Sequence, residues 1–225
     1  MIMGIYRARF LSNMEDFMFV TIEGPEGSGK STVIKKVANI LSEHGYEVVT
    51  TREPGGSPIS EKIRKLILSK NSVNMDARTE ALLYAASRRQ HLIDTVWPAL
   101  NAGKVVICDR YLDSSLAYQG GARRIGIDKV TNINLFATED TWPDVTFLLD
   151  LDPRIGLERI AKNKDREVNR LDLESLPFHD RVRASFKQLS RKYSDRYVVI
   201  NADDTVDSIV AQIVAKLKKR GCNLL

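Results

Sequence analysis

Short apolar runs alternate along the chain with longer stretches in which apolar positions recur every three or four residues. Residues 17–23, 46–50, 104–109, 145–151 and 196–200 are short, apolar and rich in β-branched residues, and they read as strands. Between them a helical period holds over 30–43, 58–69, 77–100, 128–138, 153–163 and 174–193, with a last helix over 205–219. Strands that are apolar throughout and separated by helices imply a parallel sheet covered on both faces. Pro54-Gly55-Gly56, Gly120-Gly121 and Trp142-Pro143-Asp144 mark loops. No repeat, low-complexity segment or linker interrupts this alternation, so residues 17–220 read as one α/β domain. Residues 1–16 carry Arg7 and Arg9 without the apolar core of a secretory signal, and they read as a flexible extension.

The first apolar run leads into Gly24-Pro25-Glu26-Gly27-Ser28-Gly29-Lys30-Ser31-Thr32, which fits G-x-x-x-x-G-K-[ST] between a strand and a helix. Glycines at these places let the backbone turn and aim successive N–H groups at one point. The helix that follows adds the positive end of its dipole, so a polyphosphate is held mainly by main chain. Lys30 then reaches the β/γ-phosphates and Ser31 ligates Mg²⁺.

Composition narrows the class. The chain has 225 residues, 43 % hydrophobic and 28 % charged, within the range of one soluble α/β domain. No apolar run approaches the ~20 residues that span a bilayer. Cys108 and Cys222 are far apart and form neither a disulfide framework nor a metal-spacing pattern, which suits a reducing cytoplasm. The formal charge of +5 invites a nucleic-acid reading. Yet the basic residues of Arg154 to Arg196 are interleaved with Glu158, Asp165, Glu167, Asp172 and Glu174, unlike a one-signed stripe. An enzyme with phosphorylated substrates accounts for the same surplus.

Ligands of such sheets sit at the carboxyl ends of the strands. There Val105-Val106-Ile107-Cys108 runs into Asp109-Arg110-Tyr111, an acid after an apolar strand that suits a carboxylate near the Mg²⁺. Arg110 suits bidentate contact with a second phosphate, or else a surface salt bridge. Arg52 and Glu53 precede the turn at Pro54, just past the strand at 46–50. Tyr84 and Arg88 are four apart and share a helix face, which is compatible with a base site but more often means core packing beside a surface charge. His44, His91 and His179 have no partner pattern and carry no assigned chemistry.

With these blocks in view, the chain resembles thymidylate kinases, of the bacterial lid-arginine type, over essentially all of residues 17–218. The residues concerned are Glu23 to Thr32, Thr51-Arg52-Glu53-Pro54-Gly55-Gly56, the helix at 80–91, and Asp109 to Gly120. The resemblance implies a P-loop kinase three-layer sandwich on a five-stranded parallel sheet, with a lid at about 160–172. It implies transfer of the ATP γ-phosphate to dTMP, giving dTDP and ADP, with Mg²⁺ and in a homodimer. By the same resemblance Tyr84 stacks on thymine, Arg88 meets its carbonyl, and Ser115 and Gln119 lie beside the other polar edge. Arg64 and Arg110 hold the dTMP phosphate, Tyr118 crowds the sugar against a 2′-OH, and Glu26 contacts the 3′-OH. Glu53 belongs to the same substrate side. The phosphate loop holds no Arg or Lys between Pro25 and Ser28, so the catalytic arginine is expected in the lid, at Arg166 or Arg170.

Three alternatives remain at this point. Another nucleoside monophosphate kinase would differ at Tyr84, Arg88 and Gln119. A GTPase switch needs N-K-x-D, but Asn163-Lys164-Asp165-Arg166 has its Asp one place early, and no D-x-x-G follows the strand at 104–109. A nucleic-acid-dependent ATPase rests on charge alone. The reading adopted is an ATP-dependent dTMP kinase acting on small nucleotides, with no nucleic-acid or membrane partner.

Overall fold

The computed structural model describes residues 18–162 and 169–222. The expectations for residues 1–16 and for Arg166 lie outside the described residues. Five strands run β1 (Met18–Glu23), β2 (Val48–Arg52), β3 (Val105–Asp109), β4 (Val145–Asp150) and β5 (Tyr197–Asn201). The helices are α1 (Lys30–Glu43), α2 (Pro58–Leu68), α3 (Ala77–His91), α4 (Trp97–Asn101), α5 (Leu112–Ser115), α6 (Ile127–Thr138), α7 (Pro153–Lys162), α8 (Leu176–Lys192) and α9 (Val206–Lys219). The strands pair in the order β2-β3-β1-β4-β5, and every pairing is parallel.

Alternation along each strand divides the core in two. Val20 and Ile22 of β1, Val105 and Ile107 of β3, and Phe147 of β4 pack with Val33, Val37, Ile209 and Ile213 of α1 and α9. Phe19, Val106, Cys108 and Leu148 face the other way, against Tyr84 of α3 and Phe178, Val182 and Phe186 of α8. Both sheet faces are therefore dry, which is why the strands are apolar in nearly every position. β1 is central: from it the chain builds β2 and then β3 on one side before crossing to β4 and β5 on the other. That reversal opens a crevice at the carboxyl ends of the strands.

Three elements differ from the sequence reading. β2 spans Val48–Arg52 rather than 46–50, because Arg52 pairs with Asp109 as the last rung of the ladder with β3. The single helix expected over 77–100 is interrupted by a π turn at Leu92–Val96. Pro98 has no N–H to give the carbonyl four residues back, and the turn before it widens. Residues 116–122, read as punctuated by Gly120-Gly121, instead continue α5 as a π-helical segment. The glycines serve close packing there. A Cβ on Gly121 would lie 1.9 Å from Ser185 Oγ of α8, and one on Gly120 would lie 3.1 Å from Ile127 Cα of α6.

Candidate active site

At the carboxyl end of β1 the loop from Gly24 to Gly29 curls around the amino end of α1. Gly27 has φ 72°, and a Cβ on it would lie 2.2 Å from the carbonyl oxygen of Gly156 in α7. Only glycine supplies that backbone in that space. Lys30 Nζ turns back into the loop and donates to Gly24 O at 3.2 Å, Pro25 O at 2.9 Å and Ser28 Oγ at 3.3 Å. Burial lowers the Lys30 pKa to about 8, with neighbouring Arg110 adding to the effect against the nearby carboxylates. Ser31 Oγ donates to Asp109 Oδ2 at 3.0 Å, so the hydroxyl and the acid at the end of β3 face one point.

This loop forms one wall of a cavity of about 420 Å³. The size suits a small ligand held by a few convergent polar groups. Arg110 forms the facing wall. Its Nη1 donates to Gly24 O at 2.9 Å and its Nη2 lies 2.8 Å from Glu26 Oε1. Tyr118 donates its hydroxyl to the same Glu26 oxygen at 3.1 Å. Burial pulls the Arg110 pKa down, but Glu26 and the nearby acids outweigh it and raise it well above the guanidinium's ordinary value.

Farther in, the cavity is lined by Arg64, Tyr84, Arg88 and Gln119. Arg64 donates to Pro54 O at 2.8 Å. Arg88 is buried and heavily committed: Nε donates to Glu53 Oε2 at 2.7 Å, Nη2 to Tyr111 O at 3.0 Å, and Nη1 to Ser115 Oγ at 3.1 Å and to Asn134 Oδ1. One Nη2 hydrogen is left for a ligand. Glu53, expected on the substrate side, spends its carboxylate on Arg88 and, at 2.9 Å, on His91 Nδ1. Ser115, expected beside the base, sits behind Arg88 and does not line the cavity.

Arg170 also departs from its expected place. Its Nη2 reaches Glu80 Oε2 at 2.6 Å and its Nε reaches Ile67 O at 3.0 Å, so a buried carboxylate holds it away from the cavity, which its neighbours Asn169 and Leu171 line. An arginine that the sequence reading passed over does line it. Arg159 of α7 is held by Ala202 O and Asp203 Oδ1, both at 3.2 Å. The spacing of α7 gave a signal, since Arg159 lies one helical turn from Gly156.

Beneath Arg110 lies a buried acid pair that periodicity could not reveal. Glu23 ends β1, accepts from Tyr111 N at 2.7 Å and Ser114 Oγ at 2.5 Å, and is pushed up to about 7 by burial, with Asp113 adding. Asp113 in turn holds Arg196 at 2.6 and 2.7 Å.

The sequence model of the family described as thymidylate kinase matches residues 22–213. The chain belongs to the thymidylate kinase family. It is therefore an ATP-dependent kinase. A thymidylate kinase of Clostridium novyi (strain NT) is 58 % identical over 200 residues, covering 89 % of this chain and 98 % of the relative. One from Geobacillus sp. (strain WCH70) is 53 % identical over 197 residues, covering 88 % and 94 %. Among solved structures, a thymidylate kinase from Ehrlichia chaffeensis superposes with a TM-score of 0.73 at 32 % identity, over 90 % of this chain and 98 % of that one. This membership favours the kinase reading over a GTPase switch or a nucleic-acid-dependent ATPase.

Proposed function

We propose that the cavity holds ATP and dTMP end to end, and that the residues lining it carry the γ-phosphate of ATP to dTMP to give dTDP and ADP. Membership of the thymidylate kinase family makes dTMP the acceptor and ATP the donor. The observation that carries the residue roles is the meeting of two phosphate-binding walls in one cavity: the loop with Lys30, and Arg110 across from it. Two anions must be brought in line, their repulsion offset and water excluded. Main-chain N–H groups from Gly24 to Thr32 and the Lys30 ammonium hold the donor's phosphates. Arg110 and Arg64 hold the acceptor's phosphate, and Glu26 and Tyr118 bound its sugar. Tyr84, Arg88 and Gln119 line the base end, with Glu53 and Ser115 orienting Arg88. Arg159 supplies positive charge beside the loop.

Among the described residues no cluster of three or more His, Cys, Asp or Glu could hold a metal ion unaided. Ser31 and Asp109 nonetheless supply two hard oxygens 3.0 Å apart beside the loop. That fits Mg²⁺, which takes one or two protein oxygens and completes its shell with phosphate and water. When bound it would neutralise developing charge on the phosphates.

A homodimer is supported by an unpartnered apolar face. Ile59 and Leu66 of α2 and Leu82 of α3 are about half exposed, and Phe136 of α6 is 90 % exposed. These helices are neighbours, and such a patch on a soluble chain suits a second copy. Among the described residues no helix is long and apolar enough to cross a membrane. A cytoplasmic site of action is part of this reading.

The test is ADP production with Mg·ATP against dTMP, dUMP, UMP, CMP, AMP and GMP, with a no-acceptor control. Turnover confined to dTMP, with weaker dUMP, is the expected result. Equal turnover with another monophosphate would discard the base-end roles.

A further inference from the structure

Gln119 is held from behind by a carboxylate that the proposed chemistry does not use. Glu80 of α3 is fully buried. Its Oε1 accepts from Gln119 Nε2 at 2.8 Å and from Arg123 Nε at 3.2 Å. Its Oε2 accepts from Arg123 Nη2 at 3.2 Å and from Arg170 Nη2 at 2.6 Å. Burial pushes the Glu80 carboxyl up, but Gln119 and the two arginines outweigh it and hold it below its ordinary value. An ionised carboxylate only accepts, so it meets the amide nitrogen of Gln119 and never its oxygen. The amide oxygen is thereby turned the other way. Gln119 lines the cavity, and no described residue donates to its Oε1.

We infer that Glu80 is a positioning residue for base selection: by holding the Gln119 nitrogen it turns the amide's acceptor oxygen toward the base end of the cavity. This rests on the reading of that end as the base site. An acceptor there suits a pyrimidine whose ring nitrogen carries a hydrogen, as in the thymine or uracil class. A cytosine-type ring presents a lone pair at the same place, and two acceptors facing each other leave both unsatisfied. The two arginines hold Glu80 ionised, since a protonated carboxyl could donate and let the amide turn over. Arg170 thus serves the base end through Glu80.

The test compares dTMP with 5-methyl-dCMP, which has the same outline and differs only in hydrogen-bonding groups. In Glu80→Gln the amide of residue 119 is free to turn, and the kcat/KM ratio of dTMP over 5-methyl-dCMP should fall about tenfold or more, with the KM for ATP within about twofold of the parent. General loosening would lower both substrates together and leave the ratio alone, so an unchanged ratio in folded protein overturns the inference. Should Glu80→Gln fail to fold, Glu80→Gln combined with Arg170→Met removes the orphaned cation, while Arg123 keeps Glu174 at 2.6 Å, and the same fall is expected. Gln119→Leu separates the two levels. If it lowers the ratio while the Glu80 variants do not, the role of Glu80 falls and the base site stands. If it leaves the ratio unchanged, the base-site reading falls and this inference with it.

Discussion

Arg110 crosses the mouth of the phosphate loop to place Nη2 2.8 Å from Glu26 Oε1, and it adopts a left-handed backbone with φ 69° to get there. A bulky residue in that region costs of order 1 kcal/mol or more, so the surrounding contacts must over-determine it. They do so on both sides. Tyr111 N is tied to Glu23, and the guanidinium is tied to Gly24 O and Ser114 Oγ.

Arg110→Ala removes the guanidinium that acts on Lys30 from across the cavity. We expect kcat/KM for dTMP to fall about 10³-fold or more, with the Kd for ATP changed only a few-fold. Steady-state rates beside calorimetric ATP binding check this. Near-normal turnover would mean that the acceptor phosphate is held elsewhere.

Tyr118 lies under the Arg110 guanidinium, 5.2 Å from ring centre to Cζ, with its hydroxyl on Glu26. Under the proposed function Glu26 meets the 3′-OH, and the ring beside it is then the group that would crowd a 2′-OH. Tyr118→Ala should raise kcat/KM for UMP relative to dUMP by about tenfold, the worth of a relieved clash of roughly 1.4 kcal/mol. Tyr118→Phe keeps the ring and should keep the discrimination. Identical ratios in all three proteins would count against the steric role.

Most of the fold was legible because both sheet faces are buried and the strands are unbroken apolar runs; β1, β3 and β4 lie within a residue of their expected bounds. The helix at 112–122 was not, since Gly120-Gly121 looks like a turn until α8 is seen to press on it. At the site, the phosphate loop and Asp109-Arg110 were readable from motif and position. The commitments of Glu53, Ser115 and Arg170 were not. Glu53 meets Arg88 across 35 positions of sequence, and Arg170 meets Glu80 across 90. No local spacing encodes such pairs. His91, which offered no pattern, links Glu53 Oε1 to Thr51 Oγ1 for the same reason.

Glu23 gives the protein a pH dependence of definite sign. Its carboxyl is raised from an ordinary value of 4.5 to about 7, chiefly by burial and then by Asp113. The folded protein therefore binds this proton more tightly than the unfolded chain. The stability it contributes is complete below about pH 4.5 and is lost as pH rises through 7, up to about 3 kcal/mol at 1.36 kcal/mol per unit. Glu23→Gln carries no such proton. Urea unfolding of both proteins from pH 4.5 to 8 should show the variant gaining on the parent across that window. Parallel curves would place the Glu23 proton elsewhere.

Gly156 offers the sharpest test of how α7 meets the loop. Within a helix, Gly→Ala ordinarily stabilises by about 0.5–1 kcal/mol, because alanine loses less backbone freedom on folding. Here a Cβ would fall 2.1 Å from Glu26 O, and Gly27 faces the same helix from the other side with its own missing Cβ 2.2 Å from Gly156 O. Both obstacles are backbone, so neither can swing aside, and α7 must lift or the loop must shift. Arg159 rides on the same helix one turn later and lines the cavity. Gly156→Ala should thus lower the Tm by several degrees instead of raising it, and should raise the KM for ATP about tenfold as loop and Arg159 lose register. Thermal unfolding and ATP titration of the rate decide the matter together. A higher Tm with an unchanged KM would mean that α7 does not rest on the loop.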